Sequence, residues 1–243
     1  MQTEKVRVGR WLKWAAILSI LLLPIAVVFY RLNLYDFSGA SKVLALSLLL
    51  SAITFLVSLH LSMIHRKSNP SSSKLATHAW CLGLIPLFFF GSQIVIAKSY
   101  PMIHNISTDV SDPPEFIKLV ELRGGDSNPH GYDKATLASV QLTAYPDIRT
   151  LLVDDVPNIA FKKANTVVSM LGWELIADDG SKGIIEATET SGIWQFKDDV
   201  VIRIEAESGK TKIDLRSVSR VGRSDLGANA KRIKKFFETY KSL

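Results

Sequence analysis

Three apolar runs, at residues 11–30, 43–64 and about 76–97, fill most of the first hundred positions of this chain. Each has about 20 residues, which at ~1.5 Å per residue crosses ~30 Å of hydrocarbon. One such run could be a buried core helix. Three in succession, each with polar flanks, read as membrane spans. Pro24 and Pro86 lie inside spans, where neighbouring helices can satisfy the carbonyls that a proline frees. No span carries an Asp, Glu, Lys or Arg at mid-membrane, so the runs read as a tether rather than an ion or proton path. Ser38-Gly39-Ala40 has the small-residue spacing of a leader cleavage site. It lies well past the first run, with Arg31, Asp36 and Phe37 between, so the first run is read as a retained span.

The charge is divided as sharply as the hydropathy. Residues 1–100 carry a net charge of +8 and residues 101–243 a net of −2. The net positive charge therefore belongs to the apolar half, where basic residues flank the spans, and the near-neutral polar half gives no support to a nucleic-acid role. Lys5, Arg7, Arg10 and Lys13 stand at the start of the first span, and Arg66, Lys67 and Lys74 between the second and third. The loop between the first and second spans has cations only at its ends, Arg31 and Lys42. The positive-inside rule then places the amino terminus in the cytoplasm and the carboxy-terminal domain in the periplasm. The expected division is a three-helix transmembrane region over 1–98, a linker over 99–115 rich in proline and small polar residues, and an extracytoplasmic domain over 116–243. The lone cysteine, Cys81, falls in an apolar run and can form no intramolecular disulfide.

In the polar half the periodicity sharpens after Pro157. Residues 159–171 have apolar positions at helical spacing, ended by Gly172. Four strands are expected at 173–177, 183–190, 199–206 and 211–221, joined by turns at Asp178-Asp179-Gly180 and Ser208-Gly209. An amphipathic helix follows over 226–240, with Ser224 or Asp225 as its cap. Short connections favour antiparallel pairing. The expected fold is α+β: a two-layer sandwich of antiparallel sheet packed against two helices. Its second sheet face is left to solvent, to residues 101–158, or to binding.

Several segments then resemble a known family: IHNISTDVSDPPEF at 103–116, AYPDI at 144–148, GWE at 172–174, IEATETSGIWQFKDDVVIRI at 185–204 and RSVSRVGRSDLGANAKRI at 216–233. In this order they resemble the domain-of-unknown-function 1499 family, as a membrane-anchored member. The resemblance implies a domain type and an envelope or thylakoid-lumen setting, and no reaction.

The residues that could carry chemistry are few. Alternation along the fourth strand puts Asp214, Arg216, Val218 and Arg220 on one face, and Arg203 can join them. With Arg223 and the helix start near Asn229, these arginines form a candidate anion or ligand site. The bland reading pairs them with Glu174, Glu186, Asp198 or Asp214. His104, Asp109 and Asp112 form a weaker metal or acid–base set, whose spacing fits no metal signature. No metal and no cofactor is expected. Asp198 and Asp199 are neighbours on a strand, so they face opposite ways and cannot both reach one substrate. Ile193, Trp194 and Phe196 lie between two strands, either in the core or in contact with a partner or the bilayer. Nucleophile-elbow, zincin, Walker and dinucleotide motifs are absent. The reading that follows is an envelope protein, more binding module than enzyme, whose periplasmic domain binds a partner protein or an anionic or amphipathic ligand such as a lipid. The alternative is a periplasmic hydrolase or metal-dependent enzyme built on loop residues from 101–133.

Overall fold

A computed structural model describes residues 2–243. The chain divides into two compact units, Met1–Ile96 and Ala97–Leu243.

The first unit consists of α1 (Gln2–Arg31), α2 (Phe37–Ser68) and α3 (Pro70–Lys98). All three are long and apolar enough to cross a membrane. Their packing is inverted relative to a soluble bundle. Small residues meet inside: Ala16, Ser19, Ser47, Ser51, Ala76 and Ala79 are all buried. Bulky residues face outward, with Phe88 80% and Val95 67% exposed. Small contacts let backbones approach closely, which drives helix association where lipid removes the hydrophobic incentive. Ser47 donates to the Ser19 carbonyl at 2.6 Å, and Ser51 donates to that of Gly83. The helices continue through Pro24 and Pro86. Asp36 accepts from the Gly39 N–H and starts α2, so Ser38-Gly39-Ala40 lies within a helical first turn.

The second unit contains β1 (Asn105–Ser107), α4 (Leu119–Leu122), α5 (Lys134–Ala144), β2 (Leu151–Val153), α6 (Pro157–Met170), β3 (Glu174–Asp179), β4 (Ile184–Thr190), β5 (Lys197–Glu207), β6 (Lys210–Ser219) and α7 (Ala228–Lys241). It is α+β, as expected, with a six-stranded antiparallel sheet ordered β1-β6-β5-β4-β3. β2 also pairs with β6: β1 takes residues 216–218 and β2 residues 211–213 of the same edge. Here the sequence reading needs correction. It expected four strands and a linker over 99–115, but that stretch supplies β1, whose residues are all buried. Three-residue strands carry no periodicity of their own, and only the β6 edge makes them strands. The β3–β4 turn is also later than expected, since Asp178 and Asp179 still belong to β3. Gly183 closes it at φ +65°, where a Cβ would lie 2.1 Å from the Ile204 carbonyl oxygen.

One sheet face carries the main core. Ile185, Ala187, Val200, Ile202, Ile213 and Leu215 pack against Ala164 and Val167 of α6 and Ile233 and Phe236 of α7. Trp173 stacks on Phe236 with ring centroids 5.8 Å apart. The opposite face has a smaller cluster, in which Phe116 and Leu119 cover Val201 and Val218. Residues from 101–158 therefore cover part of that face. The free edge is β3, whose bulge between Leu175 and Ala177 and whose acidic residues discourage further strand pairing.

Candidate functional site

The second sheet face holds most of the polar residues singled out by sequence. β6 alternates as expected: Ile213 and Leu215 join the main core, while Asp214, Arg216, Val218 and Arg220 face the other way. The arginines do not stand open there. Arg216 is fully buried. Its Nε donates to Asn105 at 3.1 Å and its Nη1 to the Pro114 carbonyl at 3.0 Å, while Nη2 donates to the His130 carbonyl. The Phe116 and Tyr132 rings lie 5.3 and 5.7 Å from the guanidinium carbon. Burial pulls the Arg216 pKa below its ordinary value, an effect opposed by Glu115, and burial raises the Tyr132 phenol to about 12.

Arg220 and Arg123 share one anion, Asp199, which is fully buried and also accepts from Thr188. Arg203 lies opposite Asp214 in the β5–β6 register and bonds both Asp214 and Asp112. Burial opposes its charge, but these carboxylates hold its pKa above the ordinary value. Asp109 accepts from the Ser111 and Asp112 N–H groups and from Lys212. Burial pushes its carboxyl up, and those donors together hold it below the usual range. Glu186, 1% exposed, accepts from the N–H groups of Ile117, Lys118 and Leu119. The start of α4 thus already has its anion, supplied by the sheet.

The start of α7 is filled in the same way. Gly227 occupies the capping position at φ +78°, and Asp225 accepts from the Gly227 and Asn229 N–H groups. Burial raises the Asp225 pKa. Asn229 is completely buried. It donates to the His104 carbonyl and Ser219 and accepts from Ser217 and Arg232. Arg223 is exposed and has no ion pair among the described residues. The five candidates for an anion site therefore divide: Arg203, Arg216, Arg220 and Asn229 hold the domain's own groups, and Arg223 stands apart.

The acid–base set does not assemble. His104 precedes β1 and Asp109 follows it, on either side of Asn105–Ser107. Asp109 and Asp112 are engaged by Lys212 and Arg203. His104 and His130 enter the polar network through their carbonyls. Among the described residues, no three His, Cys, Asp or Glu side chains are grouped to hold a metal ion. Asp198 and Asp199 face opposite sides, as alternation requires: Asp198 bonds Arg232 at 2.6 Å and Asp199 bonds Arg220 at 2.8 Å. Trp194 and Phe196 are half-buried and stack 6.1 Å apart, beside an exposed Ile193.

Two residues central to these networks escaped the sequence reading. Arg232, 8% exposed, joins Glu189, Asp198, Ser217 and Asn229. Its position three residues after Asn229 on the inward stripe of α7 was the available signal. Arg123 lies in a glycine-rich loop with no periodicity, so only the fold reveals its partner.

Concave and apolar surface gathers at the other end of the sheet. Leu152, Val156 and Ile159 are 50%, 62% and 45% exposed around the β2–α6 junction. Beside them is a cleft of 340 Å³ formed by Pro157, Asn158, Phe161, Gly180–Gly183 and Ile204. A second cleft, of 350 Å³, lies across the same β3–β4 turn and is lined by Ile117, Lys118, Asp178, Asp179, Lys182 and Ile184 among others. The two share Gly180 and Lys182.

No curated protein matches the chain. A family model described as "Protein of unknown function (DUF1499)" matches residues 105–239, from β1 to the penultimate turn of α7 and more than half of the chain. The match spans the whole sheet, both covering helices and the buried polar networks, and on that ground the chain belongs to the DUF1499 family.

Proposed function

We propose that this protein is a membrane-anchored binding module whose domain engages a protein partner through the β2–α6 junction and the clefts beside the β3–β4 turn. Three apolar helices supply the anchor. The distribution of Lys and Arg supports an amino terminus in the cytoplasm of a cell with an inner membrane, and a domain in the periplasm. The observation that carries the reading is the exposure of Leu152, Val156 and Ile159 around a helix start whose Pro157, Asn158 and Phe161 line a cleft. The second cleft sets Ile117, Ala177 and Ile184 among Lys118, Lys182, Asp178 and Asp179, the mixed composition of protein interfaces.

A photoreactive amino acid placed at Val156 of the full chain, in native membranes, tests this. A protein adduct from position 156, absent from a probe at exposed Lys235, is the expected result. Val156→Asp with Ile159→Asp should remove the interaction without lowering the melting temperature. Lipid adducts alone would replace the protein partner by an amphipathic ligand, and no specific adduct would reject the surface. Alkaline phosphatase fused after Leu243 should be active and a cytoplasmic reporter there inactive. The reverse pattern overturns the orientation.

A further inference from the structure

The three-helix unit has a site of its own, at the end where α1 begins, α2 ends and α3 begins. Ser72 Oγ donates to the Lys5 carbonyl at 3.0 Å, and Ser73 Oγ to that of Ser62 at 2.9 Å, which tie the three helices together there. Between them lies a cavity of 580 Å³, lined by Thr3, Val6, Arg7, Arg10, Asn69 and Ser71 among others. That volume suits a small-molecule group.

Three features of the lining point to one chemistry. Arg7 and Arg10 are exposed, one turn apart on α1, and have no ion pair among the described residues. Ser71 lies in the first turn of α3, where the helix dipole favours negative charge. Asn69 is the most specific of the three. It is only 6% exposed, and its Oδ1 and carbonyl accept from the Ser72 and Ser73 N–H groups. Its amide nitrogen Nδ2 is buried with no hydrogen-bond partner among the described residues, as are Tyr35 Oη, Ser58 Oγ and His65 Nδ1 elsewhere in the unit, but of these four residues only Asn69 lines the cavity. A buried donor without an acceptor is costly, and most such groups are satisfied by something. Asn69 lines the same cavity as Arg7 and Arg10, so an acceptor bound there would satisfy Nδ2 once the Asn69 side chain shifts to meet it. Two guanidiniums beside a helix amino terminus specify that acceptor as an anion, and their forked donors suit phosphate oxygens.

We propose that this cavity binds a phosphate group, held by Arg7, Arg10, the Asn69 amide and the start of α3. Its position at the end of an apolar three-helix unit suits the headgroup of an anionic phospholipid, and free phosphate shares the same chemistry. The site is independent of the domain surface discussed above.

The test is native mass spectrometry of the full chain in mixed micelles. The probes are phosphatidylglycerol, phosphatidylcholine as the zwitterionic control, and sodium phosphate alone. Phosphatidylcholine carries the same phosphodiester but adds a choline cation that the two guanidiniums repel, so wild type should prefer phosphatidylglycerol by about ten-fold or more. Asn69→Asp keeps the oxygen that caps α3 but exchanges the orphaned donor for an acceptor, so it should abolish the preference. Arg7→Gln with Arg10→Gln, at exposed positions, should abolish it without affecting folding, and decides the matter if Asn69→Asp proves unstable. Binding of sodium phosphate that these variants remove, without any lipid preference, would assign the site to free phosphate. Equal retention of both lipids with no phosphate bound would overturn the proposal. So would a lipid preference that survives in the Arg7/Arg10 variant.

Discussion

Arg220 grips Asp199 with two nitrogens, Nε at 3.0 Å and Nη2 at 2.8 Å, and Asp199 beneath it is completely buried. Arg123 approaches the same carboxylate from the other side. Removing the shared anion is therefore worse than removing one cation. Asp199→Ala should destabilise the domain by about 3–5 kcal/mol, the cost of leaving buried charge unpaired. Arg220→Ala leaves Asp199 with Arg123 and Thr188 and should cost only about 1–2 kcal/mol. Thermal unfolding of the full chain in detergent measures the order, and equal losses would contradict the shared-anion geometry.

Arg216 fastens the segment 114–132 to the sheet through two carbonyls, of Pro114 and His130. A lysine has no planar fork to reach both while bonding Asn105. Arg216→Lys should therefore open the 114–132 segment to proteolysis while the sheet survives. Glu115 faces the same guanidinium, but its side chain is 69% exposed. Glu115→Ala should change stability by less than about 1 kcal/mol.

Glu186 accepts from three consecutive backbone N–H groups. Glu186→Ala leaves them without their acceptor at the start of α4, at a cost of about 1–3 kcal/mol. Hydrogen exchange should speed up at Ile117, Lys118 and Leu119 before it does in β5 or β6. Uniform acceleration would mean that the segment has no separate anchorage.

The pH dependence has two directions. Asp155 is held below the ordinary 3.8 by Lys163 and then Tyr240, and Asp109 by its backbone and Lys212 donors against the opposing effect of burial. A depressed carboxyl contributes stability above its unfolded pKa and loses it as pH falls through the folded value. Acid should therefore destabilise the domain below about pH 3.8, and Asp109→Asn should flatten that limb. Asp225 is raised by burial, so its contribution is full below the unfolded pKa and lost as pH rises through the folded one. Asp225→Asn should remove that slope on the higher-pH side. Melting temperature against pH for the two variants separates these effects.

Gly183 combines φ +65° with an approach of 2.1 Å to the Ile204 carbonyl from the place a Cβ would occupy. Gly183→Ala should cost more than about 3 kcal/mol, since backbone strain and a clash add. Gly209, also at φ +83° but with open space around it, supplies the control. Gly209→Ala should cost only about 1 kcal/mol.

Legibility followed the length of the pattern. Long periodic segments such as α6, β5, β6 and α7 carry their structure in their own spacing, and they lie within a few residues of the expected bounds. β1 and β2 escaped because three residues have no period. α5 has no clear sequence signature because residues 136–144 have no single apolar stripe, and its one fully buried residue is polar: Gln141, which bonds the Ser107 backbone in both directions. Alternation did reveal that Asp214, Arg216 and Arg220 share a face. It could not reveal Arg123 or Asp112 as partners, because long-range pairing leaves no local signature.

The sequence by itself determined the three apolar helices, the confinement of net positive charge to that half, and the α+β character of the domain. Hydropathy, charge bias and periodicity are local properties, summed over neighbouring residues. Only the tertiary structure decided what the polar residues do. Arg203, Arg216 and Arg220 are drawn to carboxylates and carbonyls that lie far away in sequence, since a charge removed from water must find its counterpart wherever the fold brings one. The Asn69 amide, one residue before α3, has no partner among the described residues, and that unmet donor in a cleft lined by two arginines points to a ligand from outside.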